Sequence, residues 1–284
     1  MKSKLKLLYF IFPLLFVLLL FSCSNNIPLN NNDYLVAHYF DVGQGDSTLI
    51  QVNGKNILID SGSRTAENKI IKYLNDLNIK KIDYLISTHP HEDHIGNMDE
   101  IIDLFEINKF YAPKVTTTTT SFEKMIKALK RKNLKINILK DGTSSIDLGK
   151  NTQVSVFSPK ENLKDDNLNN YSPIIKIQFK DTSFLFTGDA EKENINYVLS
   201  KNYPIDSDVL KLGHHGSKTS TTKEFLEKVT PYIAIASLGE NNSYGHPHKK
   251  VIDLLNSYNI KLFRTDKDST ITLISNGIEI KKLK

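Results

Sequence analysis

Short β-rich runs alternate with amphipathic stretches from residue 34 to the end, and the order repeats: strands lead, helices follow, then strands lead again. In the first half, runs at 34–41, 47–52 and 56–59 read as strands, the last two joined by the hairpin dipeptide Asn53-Gly54. A helix over 66–77 places Ile70, Ile71, Leu74 and Leu77 on one face. Strands at 83–87 and 108–112 and helices over 95–105 and 121–132 complete this half. The second half has strands at 152–157, 173–179, 183–187, 207–212 and 232–236, with closing strands at 261–264 and 269–282. Its helices are expected over 191–200, 222–229 and 248–257. The pattern is that of an α/β chain with two sheets packed face to face and helices outside.

No linker in this region is long enough to divide it, so residues 34–284 read as one domain. At 39% hydrophobic and 24% charged residues, the chain can bury a sizeable core. Ahead of the domain, Lys2, Lys4 and Lys6 precede an unbroken apolar run over 7–21. That matches a secretory leader better than a spanning helix of ~20 residues. Leu20-Phe21-Ser22-Cys23 follows and resembles a bacterial lipobox, whose cysteine is lipid-modified and becomes the new N-terminus. Cys23 is the sole cysteine of the chain. Residues 1–23 are therefore expected to be a lipoprotein-type signal segment and 24–33 a flexible tether. The domain then sits outside the cell, at the outer face of the bacterial membrane or secreted. Removing three lysines with the leader lowers the formal charge from +5 to +2, which gives no charge argument for nucleic acid binding. A single cysteine also excludes a disulfide framework and thiolate-rich zinc sites. The eight histidines carry the chemical interest.

They concentrate in Thr88-His89-Pro90-His91-Glu92-Asp93-His94-Ile95-Gly96, directly after a strand. Imidazoles beside a carboxylate form a donor set that suits Zn²⁺ and similar divalent ions. In an extended segment His89 and His91 project to one side and can reach one ion. Asp93 and His94, where the chain turns into a helix, can face a second. The apolar strand Phe184-Leu185-Phe186-Thr187-Gly188-Asp189 delivers Asp189 at its mouth, where a carboxylate can bridge two cations. Asp60, at the end of Ile57-Leu58-Ile59-Asp60, has the same form and is suited to orienting a ligand histidine. Leu212-Gly213-His214-His215-Gly216-Ser217-Lys218 offers backbone N–H groups, Ser217 and Lys218 to an anion. Tyr244-Gly245-His246-Pro247-His248 adds an imidazole in a constrained turn before a helix.

His89-x-His91-x-Asp93-His94, with Asp60, Asp189 and a late histidine, resembles the metallo-β-lactamase superfamily of binuclear hydrolases. Three further segments join it: Asp41-Val42-Gly43-Gln44-Gly45-Asp46-Ser47, His214-His215-Gly216-Ser217 and Tyr244-Gly245-His246-Pro247. With them, residues 34–284 are similar to the extracytoplasmic metallo-hydrolase domain of ComEC-type competence proteins. The resemblance implies a four-layer αβ/βα sandwich, two divalent ions (Zn²⁺ or Mn²⁺) and a phosphodiester substrate, with DNA the usual suspicion. It implies His89 and His91 at the first metal, Asp93, His94 and His246 at the second, and Asp189 between them. The family's separate histidine ahead of the bridging aspartate has no counterpart, since none lies between His94 and His214. Asn170 stands near that place as a weaker oxygen donor, which implies a more open first site or one suited to Mn²⁺. His214 is left with two roles, the missing ligand or an acid to the leaving oxygen.

The implied reaction is in-line hydrolysis by a metal-bound hydroxide, with Asp93 helping to hold it and His214 or His215, together with Ser217 and Lys218, gripping a phosphoryl oxygen. Two alternatives are a phosphodiesterase acting on cell-wall substituents such as phosphocholine and a non-catalytic binding module. The domain is expected to be a monomer, with a separate DNA-uptake channel as a potential partner. The helix with Lys124, Lys127, Lys130, Arg131 and Lys132 reads as a solvated face rather than a phosphate track. Tyr171, Tyr232 and Tyr244 read as packing residues, and His38 as structural.

Overall fold

Asn53 and Gly54 take left-handed φ values of 52° and 71°, the turn geometry that matches strand twist, and so join the first hairpin. The computed structural model describes residues 33–283. The leader, Cys23 and the tether through residue 32 lie outside the described residues. In chain order the first strands are β1 (Leu35–Tyr39), β2 (Thr48–Val52), β3 (Lys55–Ile59), β4 (Lys81–Ile86), β5 (Glu106–Ala112) and β6 (Ile136–Ile138). A second series follows as β7 (Thr152–Val156), β8 (Ile175–Phe179), β9 (Thr182–Phe186), β10 (Val209–Lys211), β11 (Ile233–Ala236) and β12 (Lys261–Arg264). The closing stretch is two strands, β13 (Ile271–Ser275) and β14 (Ile280–Lys282), that return to the first sheet.

The first sheet has the order β14-β13-β1-β2-β3-β4-β5-β6 and the second β12-β11-β10-β9-β8-β7. Alternation along each strand sorts the apolar residues into two sets. Ile57, Ile59, Tyr84, Ile86, Phe184, Phe186, Ile271 and Leu273 face the opposite sheet and form the central core. Leu58, Leu85 and Phe110 face outward, beneath α1 (Glu67–Asp76), α3 (Met98–Leu104) and α4 (Thr120–Arg131). Leu185, Leu210 and Ala234 do the same beneath α5 (Lys192–Ser200), α6 (Lys223–Val229) and α7 (Lys249–Ser257). Three cores between four layers make this an αβ/βα sandwich.

One expected element differs and one strand is additional. The helix anticipated over 95–105 begins three residues earlier as α2 (Glu92–Ile95) and breaks at Gly96-Asn97 before α3. At the break, the Asn97 side chain donates to Ser61 O and Ser63 O, pinning the chain to the loop after β3. Strand β6 was unanticipated. Strands β3 to β6 run parallel, as do β9 to β12, so the carboxyl ends in each set share one edge. Loops leaving such ends are where this architecture presents its chemistry.

Candidate metal centre

Five strands of the two parallel sets deliver different groups at this edge. Asp60 follows β3, the histidine segment follows β4, Asp189 follows β9, His214 and His215 follow β10, and the Ser237–His246 loop follows β11. Asp60 is fully buried and accepts from Thr88 N–H (2.8 Å), the Thr88 hydroxyl (2.7 Å) and His94 Nδ1 (2.8 Å). With Nδ1 held by a carboxylate, His94 presents Nε2 to Asp189 Oδ2 at 3.3 Å and to Asp93 Oδ2 at 3.8 Å. His215 donates Nδ1–H to Ser237 O at 2.8 Å, and its Nε2 lies 3.1 Å from Asp93 Oδ2 and 3.5 Å from Asp189 Oδ2. One donor atom from each of Asp93, His94, Asp189 and His215 lies within 4.8 Å of every other.

His89 and His91 meet beside this group, Nε2 to Nδ1 at 2.9 Å, with His89 Nε2 at 4.0 Å from Asp189 Oδ2. The Ser172 hydroxyl, between them, accepts from Asp189 N–H at 3.0 Å and lies 3.3 Å from His89 Nδ1. Buried polar atoms test whether this set suits a cation. His94 Nε2, Asp189 Oδ1 and His246 Nδ1 are buried without a hydrogen-bond partner, and desolvated groups of this kind are costly unless something else satisfies them. Imidazole and carboxylate donors converging on one point are what a divalent ion supplies a partner for, so the residues fit such a group.

The electrostatics agree. Burial works against charge on His94, but Asp189, Asp93 and Asp60 outweigh it and hold its pKa well above the usual imidazole value. Burial likewise opposes charge on His215, yet Asp189, Asp46 and Asp93 raise it to about 10. Asp189 lies well below the ordinary carboxylate value because His94 and His215 overcome the cost of its burial. His89 and His91 go the other way, lowered by burial and by the neighbouring His94.

The remaining sequence-selected residues are dispersed around a cavity of about 550 Å³ over the cluster. His246 borders it, stacked on Tyr244 with ring centroids 5.7 Å apart and edge-on to His214 at 5.3 Å, but stands outside the four-residue cluster. His215, selected from sequence as an anion donor, stands inside it. His214 Nδ1 lies 2.8 Å from Glu191 Oε1, and its Nε2 lies 3.8 Å from Asp189 Oδ2. Ser217 and Lys218 do not reach the cavity wall: the Ser217 hydroxyl engages Thr219, and Lys218 is exposed. Asn170 turns its amide to Asp165 at 2.8 Å, while its neighbour Asn169 borders the cavity. His38 bonds Thr272 and Gln51 within the first sheet, well away from the site in chain and sheet order.

Sequence reasoning missed Glu191, Ser172, Asn169 and the buried pair Lys211–Asp46, Nζ to Oδ2 at 2.7 Å. Lys211 gave a signal, as a charge inside the apolar run Leu210-Lys211-Leu212 whose two-residue period turns it inward with Val209. The other three carry no local mark.

The metallo-beta-lactamase superfamily profile matches residues 40–240. The chain is 34% identical over 249 residues to ComE operon protein 3 of Bacillus subtilis, covering 81% of this chain and 32% of that protein. It is 35% identical over 224 residues to Recombination protein 2 of Haemophilus influenzae, covering 77% and 26%. It thus spans a third or less of either relative. Among solved structures, the metallo-beta-lactamase fold protein YhfI of Bacillus subtilis superposes with a TM-score of 0.57 at 11% identity, over 86% of this chain and 100% of that one. With its profile covering most of the chain, its layered sheets and its histidine–aspartate cluster at their shared edge, the chain belongs to the metallo-β-lactamase superfamily.

Proposed function

We propose that the protein is a metal-dependent phosphodiesterase that works outside the cell, with nucleic acid as its substrate. The observation that carries this reading is the convergence of Asp93, His94, Asp189 and His215 beneath an open cavity. In this reading His89, its Nε2 4.0 Å from Asp189 Oδ2, and the adjoining His91 would hold a first ion together with Asp189, and Asp93, His94 and His215 would hold a second. Two divalent ions held there would supply Lewis acidity, lowering the pKa of a water toward neutrality and offsetting charge on phosphoryl oxygens. The chain's own groups do the rest. Asp60 and Ser237 O fix the tautomers of His94 and His215. His214 is held by Glu191, whose carboxyl is lowered to about 2, chiefly by that hydrogen bond. His214 Nε2 is thereby left facing the cavity, placed to give a proton to the leaving oxygen. Nucleic acid is favoured by the relatives, one of them named for recombination. A lipid anchor at Cys23 and a separate channel partner complete the reading.

The test is hydrolysis of bis-p-nitrophenyl phosphate and of single- and double-stranded oligonucleotides by purified protein supplied with Zn²⁺ or Mn²⁺. Asp93→Ala is expected to abolish turnover with an unchanged circular dichroism spectrum, and His214→Ala to lower kcat about 10²- to 10⁴-fold. A folded, metal-loaded protein that cleaves none of these diesters overturns the reading. Release of phosphocholine alone moves it to cell-wall polymers.

A further inference from the structure

Two recesses lie beside the metal cavity and share a border. One, of about 310 Å³, is almost wholly apolar, closed by Pro90, Phe122, Met125 and Ile126. His89, whose Nε2 faces Asp189, is also one of its walls. The other, of about 370 Å³, is bordered by Lys114, Lys140, Lys160 and Lys164. Lys114 and Ile138 border both, so the two form one groove along the edge strand β6. The groove flanks the metal cavity a second time through the turn Leu168–Tyr171. Asn169 of that turn borders the metal cavity, and Tyr171 the lysine recess. The Tyr171 ring is fixed there by its hydroxyl, which accepts from Asp165 N–H at 3.2 Å.

The charges in the groove are unevenly matched. Lys140 pairs with Glu161, while Lys114, Lys160 and Lys164 are exposed and form no salt bridge among the described residues. Three free ammonium groups beside an apolar recess match a polyanion that also carries flat apolar groups. We propose that this groove holds a single-stranded nucleic acid beside the scissile bond, its phosphates on Lys114, Lys160 and Lys164 and one unpaired base in the apolar recess. This rests on the phosphodiesterase reading above. A single strand fits where a duplex does not, because a base must leave its stack and its partner to enter a pocket of this size. An apolar wall accepts any base, since each has a π face.

The experiment is fluorescence anisotropy of a labelled oligodeoxynucleotide with purified protein in EDTA, which prevents cleavage, across a salt series. The K114E/K160E/K164E variant is expected to bind at least about tenfold more weakly at low salt. Its log K against log salt slope should fall by about 2, three phosphates at about 0.7 each. Ile138→Asp, at a side chain exposed enough (43%) to leave folding intact, should weaken binding about fivefold or more through the lost base contact. The same charge change on the outer face of α4, K124E/K127E/K130E, should leave affinity within about twofold, because those lysines border neither recess. Hydrolysis of bis-p-nitrophenyl phosphate, too small to reach the groove, should be equal in all variants. Equal losses from the two triple variants, no loss from the first, or tighter binding of a duplex than of its single strand each overturn the proposal. Wild-type protein that fails on the small diester while the anisotropy pattern holds refutes the catalytic reading and leaves the groove.

Discussion

Carboxylates buried among imidazoles must find positive charge, and without a cation they find it in protons. His94 and His215 both have raised pKa values, His215 to about 10, whereas His89 and His91 are lowered and are neutral at pH 7. An imidazole ligates only through a neutral nitrogen, so a divalent ion entering between Asp93 and Asp189 must expel the protons on His94 and His215. Affinity then rises with pH throughout the neutral range, because fewer protons remain to be displaced, and levels off only above about pH 10. Calorimetric titration of Zn²⁺ at pH 8 in buffers of different ionisation enthalpy should report about two protons released per protein, with the share from His215 lost as pH passes about 10. An enthalpy independent of buffer at pH 8 would show that these histidines are already neutral. The sequence made His89, His91, Asp93 and His94 legible because they crowd into one segment. It did not reveal that His215 rather than His246 joins Asp93, because that choice depends on backbone conformation. His214 and His215 adopt φ values of 47° and 55°, a left-handed pair that costs L residues energy and that no composition announces. That turn swings His215 inward to Asp93 and leaves His214 to Glu191.

Elements bring these residues together only because their loops pack backbone to backbone at the sheet edge. The loop between β1 and β2 does this at Gly45, where φ is 137° and Asp46 N–H donates to Asp93 O at 3.1 Å. A Cβ at position 45 would enter the Asp93 carbonyl oxygen, so the loop or α2 would have to move. Gly45→Ala should therefore cost about 1–3 kcal/mol in urea denaturation, through backbone strain and overpacking together. It should also weaken Zn²⁺ in competition with a chelator, because Asp93 shifts with its own carbonyl. Wild-type metal affinity in this variant would mean that the loop yields and Asp93 stays in place. Among elements, the Asn53-Gly54 hairpin and the α1 stripe were legible because their signals are local. Strand β6 was not. Ile-Asn-Ile is three residues long, pairs on one side only, with β5, and turns both isoleucines to the exposed side, so its short alternation does not point to a buried face. The groove proposed above runs along this same strand.

At the scale of the whole molecule, the first sheet is closed by the last strands of the chain. β13 pairs antiparallel with β1, His38 opposite Thr272, and β14 extends the sheet beyond it. Pairing at so large a sequence separation leaves no trace in local pattern, which is why the closing stretch read as strand without a partner. Its packing nevertheless completes the core between the sheets, where Ile271 and Leu273 are fully buried against residues of both. Folding cannot complete this core until β1 and β13 meet, a long-range closure that slows folding but adds cooperativity. Leu273→Ala opens a cavity between the sheets, at the middle of β13 and outside the loops that carry the ligand residues, and should cost about 2–5 kcal/mol. Ile278→Ala, in the β13–β14 turn and 80% exposed, should change stability by less than about 0.5 kcal/mol. The pair is read by urea denaturation, with hydrolysis of a small diester at low temperature as the second readout. Leu273→Ala should keep its turnover there while its unfolding midpoint falls, since no ligand side chain leaves β13. A midpoint equal to that of Ile278→Ala would show that the returning strands lie on the core without completing it. Lost turnover in a still-folded Leu273→Ala protein would show instead that sheet closure sets the spacing of the two loop clusters across the metal centre.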